Sequence, residues 1–188
     1  MKLLGQVARS TITAILLLAM LTSHALSADG SSHPMRFGHL SLSDGLSQSN
    51  VLSVLQSSDG RLWFGTENGL NSYDGYEFRH FKRERGNPDA LANDFIFDIA
   101  EASDGSLWLA TNGGGLANLD RKTGAVRTYR HDATNSNTPG SNAIRELHVD
   151  AKGMVWLGTR GAGLDRFDPR TETFTHIDLG DADTAGTI

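Results

Sequence analysis

Three tryptophans, Trp63, Trp108 and Trp156, stand 45 and 48 residues apart, each inside a copy of one stretch: "GRLWFGTENGL", "GSLWLATNGGGL" and "GMVWLGTRGAGL". A repeat of this period constrains the fold more than composition does, because each unit must bury its apolar faces against its own neighbours. The same elements surround every tryptophan in the same order. An apolar run comes first: "VLSVLQ" (51–56), "FIFDIAEA" (95–102) and "IRELHVD" (144–150). A turn pair follows, Asp59-Gly60, Asp104-Gly105 or Lys152-Gly153, then the tryptophan segment, a Gly-rich link, and "GLNSYD", "GLANLD" or "GLDRFD". Each unit closes on an aromatic run: "YEFRHF", "VRTYRH" and "TFTHI".

Each unit thus has four short β-prone segments separated by hairpin-type turns, and none has helical periodicity. "LWFGT" and its copies are apolar at successive positions, as a strand covered on both faces must be. Four-stranded units stacked face to face are the blades of a β-propeller. The predicted fold is all-β: a β-propeller fragment of about three four-stranded antiparallel blades plus an N-terminal closing strand. The blades span 44–87, 88–137 and 138–180, with the closing strand and its link at 29–43 and a link to a further blade at 181–188. Trp63, Trp108 and Trp156 are expected to pack between blades. Gly60, Gly105 and Gly153 should turn the first hairpin of each blade, and Gly65 should admit a close backbone approach. "MRFGHLS" (35–41) precedes "GLSQSN" as "FRHFKRE" precedes "ALANDF", so it reads as an outer strand donated to a last blade. Three blades do not close a ring of about 4–8, and the chain reads as the front end of a longer protein.

Residues 1–28 have the layout of a secretory signal peptide. Lys2 and Arg9 come first, then an apolar core over 12–21, then small residues offering cleavage after Ala25, Ser27 or Ala28. The core is shorter than the roughly 20 residues a membrane helix needs. Without this segment, 15 basic and 22 acidic residues remain, a net charge of −7. That balance argues against a nucleic-acid partner, whose phosphates demand basic surface. The absence of cysteine excludes disulfides, thiolate metal sites and a cysteine nucleophile.

Other short motifs reduce to architecture. "SSDGRLW" resembles the Asp-box of sialidase-type propellers but is one residue short between Asp59 and Trp63. "LDRKTGAVRTY" (119–129) resembles the turn of quinoprotein dehydrogenase propellers, with Tyr129 where those place Trp; Asp120 is expected to cap that turn. "TNGGGLANL" leads into a strand, whereas a phosphate-cradling loop must open a helix. The seven histidines lack metal-ligand spacing, and Asp178, Asp181 and Asp183 lack an EF-hand pattern. No catalytic residue, metal or cofactor is expected.

The unit "GLSQSNVLSVLQSSDGRLWFGTENGLNSYDG" strongly resembles the two-component regulator propeller repeat: an apolar strand, a DG turn, L-W-[IF]-G-T, then G-L-x-x-[YF]-D. The resemblance covers about residues 36–180, with Lys152-Gly153 as the one departure at the turn. It implies a periplasmic ligand-sensing region of a transmembrane signalling protein anchored in the inner membrane, a homodimer at full length. Its output would be a histidine kinase or a diguanylate cyclase, neither present here. Its partners would be a small molecule or saccharide and the remaining blades. A secreted propeller enzyme acting on saccharides and a protein-binding scaffold are the alternatives.

Strand alternation places the turns joining strands one to two and three to four on one face of the disc. The links joining two to three, and four to the next blade, lie on the other. Those links are longer and differ between units, as binding loops on a rigid scaffold do. Glu67, Asn68, Asn112 and Arg160 are therefore the candidate ligand-binding residues.

Overall fold

The structure, a computed structural model, describes residues 38–177. The signal-peptide segment, residues 29–37 and the tail 178–188 lie outside the described residues. Twelve strands form three four-stranded antiparallel sheets, each a meander in sequence order. The first sheet holds β1 (Val51–Gln56), β2 (Leu62–Thr66), β3 (Gly69–Tyr73) and β4 (Phe78–Phe81). The second holds β5 (Ile96–Glu101), β6 (Leu107–Thr111), β7 (Leu116–Leu119) and β8 (Val126–Tyr129). The third holds β9 (Ile144–Val149), β10 (Val155–Thr159), β11 (Gly163–Asp168) and β12 (Thr173–Ile177). Residues 38–41, the described part of the segment predicted to close the ring, lie in no strand. Ser41 instead gives its N–H and hydroxyl to the Asp44 carboxylate, at 2.8 and 2.7 Å, and opens a 3-10 turn over Leu42–Asp44.

Three local devices account for the recurring letters of the repeat. In the first hairpin, the N–H groups of Gly60, Gly105 and Gly153 bond back to Ser57, Ala102 and Asp150 at 2.7, 2.9 and 2.9 Å. These glycines have φ of 84°, 83° and 79°, a region that costs a side chain roughly 1–2 kcal/mol. At the second connection, the threonine ending each tryptophan strand bonds across the link. Thr66 donates to Gly69, Thr111 to Gly115 and Thr159 to Gly163, at 2.8, 2.7 and 2.7 Å. At the third, an aspartate side chain caps the turn. Asp74 accepts from Tyr76 and Glu77 at 3.0 Å each, Asp120 from Lys122 at 2.8 Å and Asp168 from Arg170 at 2.9 Å.

Stacking then buries what the strands leave apolar. Trp63 and Leu70 of the first sheet share a core with Ile96, Ile99, Leu107 and Leu109 of the second. Trp108 of the second shares another with Ile144, Leu157, Phe167 and Phe174 of the third, and its ring meets Phe167 edge-on at 5.5 Å. Trp63 and Trp108 are 2% and 4% exposed. Trp156, at the same place in the third sheet, is half-buried, and no fourth sheet follows it among the described residues. Gly65 faces both its own sheet and the second at close range. A Cβ there would lie 2.5 Å from the Ser53 hydroxyl and 3.2 Å from the Ile96 carbonyl oxygen.

Candidate functional site

The links that follow the tryptophan strands gather with the inter-sheet segments on one side of the molecule. Glu67 and Asn68 are exposed and anchored within the first sheet's own links. Asn50 donates to Glu67 at 2.8 Å, Asn68 donates to the Ser47 carbonyl at 3.1 Å, and Ser47 returns its hydroxyl to the Asn68 carbonyl at 3.0 Å. The Asn112 N–H bonds to the Phe95 carbonyl at 3.0 Å, and Asn112 pairs across the sheet boundary with Ala143. The Arg160 N–H bonds to the Ala143 carbonyl at 2.8 Å, and its guanidinium makes no hydrogen bond or ion pair among the described residues. The four candidates thus fall into two pairs. Glu67 and Asn68 share one link, while Asn112 and Arg160 meet at Ala143. No hydrogen bond joins one pair to the other among the described residues.

A further pair of residues organises this face and was not anticipated from the sequence. Asp94 and Asn142 each stand two residues before the first strand of their sheet. The carbonyl of Asp94 accepts Gly69 N–H at 2.7 Å and its carboxylate accepts Arg83 N–H at 2.6 Å. Asn142 repeats both bonds one sheet on, its carbonyl to Gly115 at 2.9 Å and its side chain to His131 N–H at 2.8 Å. Each residue thus clamps two points of the preceding sheet. The available signal was an Asx at the same step before β5 and β9, with Ser49 at that step before β1. Asp94→Ala should lower stability by about 1.5–3 kcal/mol, the value of a hydrogen bond to a charged group, whereas Ser49→Ala should be near neutral. Urea unfolding of both variants checks this.

The opposite side carries the short turns and, between adjacent sheets, two clefts. One, of about 480 Å³, lies between the first and second sheets and is lined by Asp59, Asp104, Ser106, Asn118, Asp120 and Arg121 among others. The other, of about 350 Å³, lies between the second and third, with Trp108, Tyr129, Arg127, Glu172 and Lys152 in its wall. None of the four candidate residues lines either cleft. Arg121 bridges sheets here, reaching Asp59 and Glu101 at 2.9 Å each, while Glu101 also accepts the N–H and hydroxyl of Ser58. The Ser57 hydroxyl and then the Arg121 charge hold the Asp59 carboxyl below its ordinary range. Asp104 is held low by the Ser106 N–H and hydroxyl, and burial raises the Tyr129 phenol. Arg127 pairs with Glu172 across the second cleft. These carboxylates are engaged as turn caps and inter-sheet ties. Among the described residues no group of three or more His, Cys, Asp or Glu side chains is arranged to hold a metal ion, and no helix is long and apolar enough to cross a membrane.

Three stacked four-stranded meanders, each keyed to its neighbour, make this a propeller-type repeat protein. The family model of the two component regulator propeller matches residues 45–68 and 90–113, within the first two units. Over 46 residues the chain is 48% identical to Histidine kinase P4 of Formosa agariphila, a match covering 24% of this chain and 3% of that protein. Its fold is similar to the extracellular domain of the hybrid two component system BT3049 from B. thetaiotaomicron, with a TM-score of 0.71 at 25% identity over 75% of this chain. The chain spans 20% of that domain's length. It also shares its fold with PorZ, a surface component of the type-IX secretion system of Porphyromonas gingivalis, with a TM-score of 0.55 at 23% identity.

Proposed function

We propose that this chain is an exported, ligand-sensing propeller region of a transmembrane signalling protein whose output is a histidine kinase. The observation that carries this reading is the likeness to an extracellular two-component domain over three-quarters of the chain, together with two matched regulator-propeller repeats. The signal-peptide layout of residues 1–28 supports a periplasmic placement. The ligand, a small molecule or saccharide, meets the link face, where Glu67, Asn68, Asn112 and Arg160 offer exposed or half-exposed donors and acceptors on backbones held by the sheets. A propeller is a rigid body, so binding acts by changing how copies of the sensor sit against one another rather than by refolding a blade.

Two experiments test this. Residues 1–35 fused to a periplasmic reporter should deliver it in soluble form, with its N-terminus trimmed near Ala25 to Ala28. An intact N-terminus in the membrane fraction would point to an anchor. In the full-length signalling protein, alanine at Glu67, Asn112 and Arg160 should shift or abolish the phosphorylation response to the inducing ligand. An unchanged response, with Asn118→Ala or Lys122→Ala abolishing it in a folded protein, would move the site to the clefts of the turn face.

A further inference from the structure

The link between the second and third sheets folds back over β11 and β12. Asn137 donates to the Glu172 carbonyl at 3.1 Å and accepts the Phe174 N–H at 2.7 Å, so it covers the free edge of β12. Beside it lies Asp165 of β11, whose exposure is 0%. One carboxylate oxygen accepts the Gly140 N–H of the link at 2.7 Å, and the other lies 2.7 Å from His176 Nδ1. His176 Nε2 in turn lies 3.2 Å from the Ser136 carbonyl of the link. A carboxylate and a carbonyl have no proton to give, so both ring nitrogens must donate, which only the imidazolium does. The neutral ring has one N–H and would leave one of these acceptors facing a lone pair.

The other sheets provide an internal comparison. In the first, Asn71 pairs with His80 as Asp165 pairs with His176. Asn71 accepts the Ser47 N–H at 2.9 Å, a bond like that of Asp165 with Gly140, but with a neutral amide. His80 reaches the Gly45 carbonyl through one nitrogen, at 2.8 Å. In the second sheet the pair is Ala117 and Thr128. Among the three sheets, only the third sets a carboxylate beside a histidine at this position, each also in contact with the link.

We infer that the link 131–142 is a pH-gated latch: protonated His176 holds it against the third sheet, and loss of that proton releases it. Asp165 from β11 is the carboxylate in contact with His176. In the link, His131 is engaged with the Pro139 carbonyl and Asp132 with Thr134. Glu172, ahead of β12, is taken by Arg127 of β8. The Asp165 hydrogen bond, and secondarily its charge, raise His176 above its ordinary 6.5 against the opposing effect of burial. A pKa raised by docking means that the latch contributes fully below the ordinary value and is lost as pH rises through the raised one. Release is transmitted to the link face, because the link ends at Asn142 and Ala143, whose carbonyls hold Gly113, Gly115 and Arg160.

Amide exchange followed residue by residue in the full chain, corrected for intrinsic rates, between about pH 5.5 and about pH 8.5, tests the latch. Protection of Gly140 and Phe174 should fall with rising pH, by at most about tenfold per unit for one released proton, while Ser47 stays flat. His176→Gln should abolish the fall. Asp165→Asn, which recreates the neutral arrangement of the first sheet, should keep Gly140 protected throughout. Gly140 tracking Ser47 in the native chain overturns the latch, and so does a fall that survives in His176→Gln. Should His176→Gln not fold, a fall persisting in Asp165→Asn overturns it equally.

Discussion

Trp108→Ala should destabilise the propeller region by about 3–5 kcal/mol, as truncation of a large aromatic in a packed core does. The ring is 4% exposed and lies between the second and third sheets, against Phe167 at 5.5 Å and Tyr129 at 6.1 Å. Rigid β-ladders on both sides prevent the cavity from collapsing, which puts the cost towards the upper end. Trp156→Ala is the built-in comparison. The same letter of the repeat is half-buried there, although its Nε1 still donates to Asp150 at 3.0 Å. Its loss should cost clearly less than that of Trp108. Urea unfolding of the two variants, followed by far-UV circular dichroism, measures the difference. Equal losses would show that the tryptophan matters for its own hairpin rather than for stacking between sheets.

Gly115→Ala should be as damaging, for a different reason. Gly115 sits at φ 87°, and a Cβ there would overlap the carbonyl oxygen of Tyr129 on β8. Backbone strain of about 1–3 kcal/mol adds to overpacking of about 1–3 kcal/mol, and a main-chain carbonyl inside a ladder has little room to yield. Gly69 is in the same position, at φ 101° with the Phe81 carbonyl 2.6 Å from the virtual Cβ. Gly163, the third copy of this glycine, has φ 75° and nothing within 4 Å. Gly163→Ala should therefore cost only the strain. A ranking of Gly115 and Gly69 well above Gly163 in thermal unfolding is the expected outcome, and similar losses at all three would mean that φ alone decides.

Much of the fold was legible because it depends on local chemistry that repeats. The strands announce themselves through apolar runs between turns, and the DG or KG pair, the strand-ending threonine and the turn-capping aspartate each act within a few residues. Three copies in phase turn such weak signals into a propeller architecture. The face carrying Glu67, Asn68, Asn112 and Arg160 was also legible, since alternating strand direction alone sorts the loops onto two sides.

What the sequence could not disclose is whatever one sheet does to the next. Asp94 and Asn142 clamp the preceding sheet, yet they end links of unequal length, "KRERGNPDALAND" and "HDATNSNTPGSN", and their partners Arg83 and His131 are met only in the fold. The clefts arise where turns of neighbouring sheets approach, so no single stretch encodes their walls. Asp165 and Asn71 differ by one side-chain group in equivalent strands, and only the fold shows that each accepts an N–H from a neighbouring link while Asp165 also meets His176. The sequence by itself determined the unit, its turns and its stacking face, because those follow from nearest-neighbour chemistry along the chain. Tertiary structure alone decided which tryptophan is enclosed, which glycine has no room and which histidine sits between a carboxylate and a carbonyl, because each depends on atoms brought in by other strands and links.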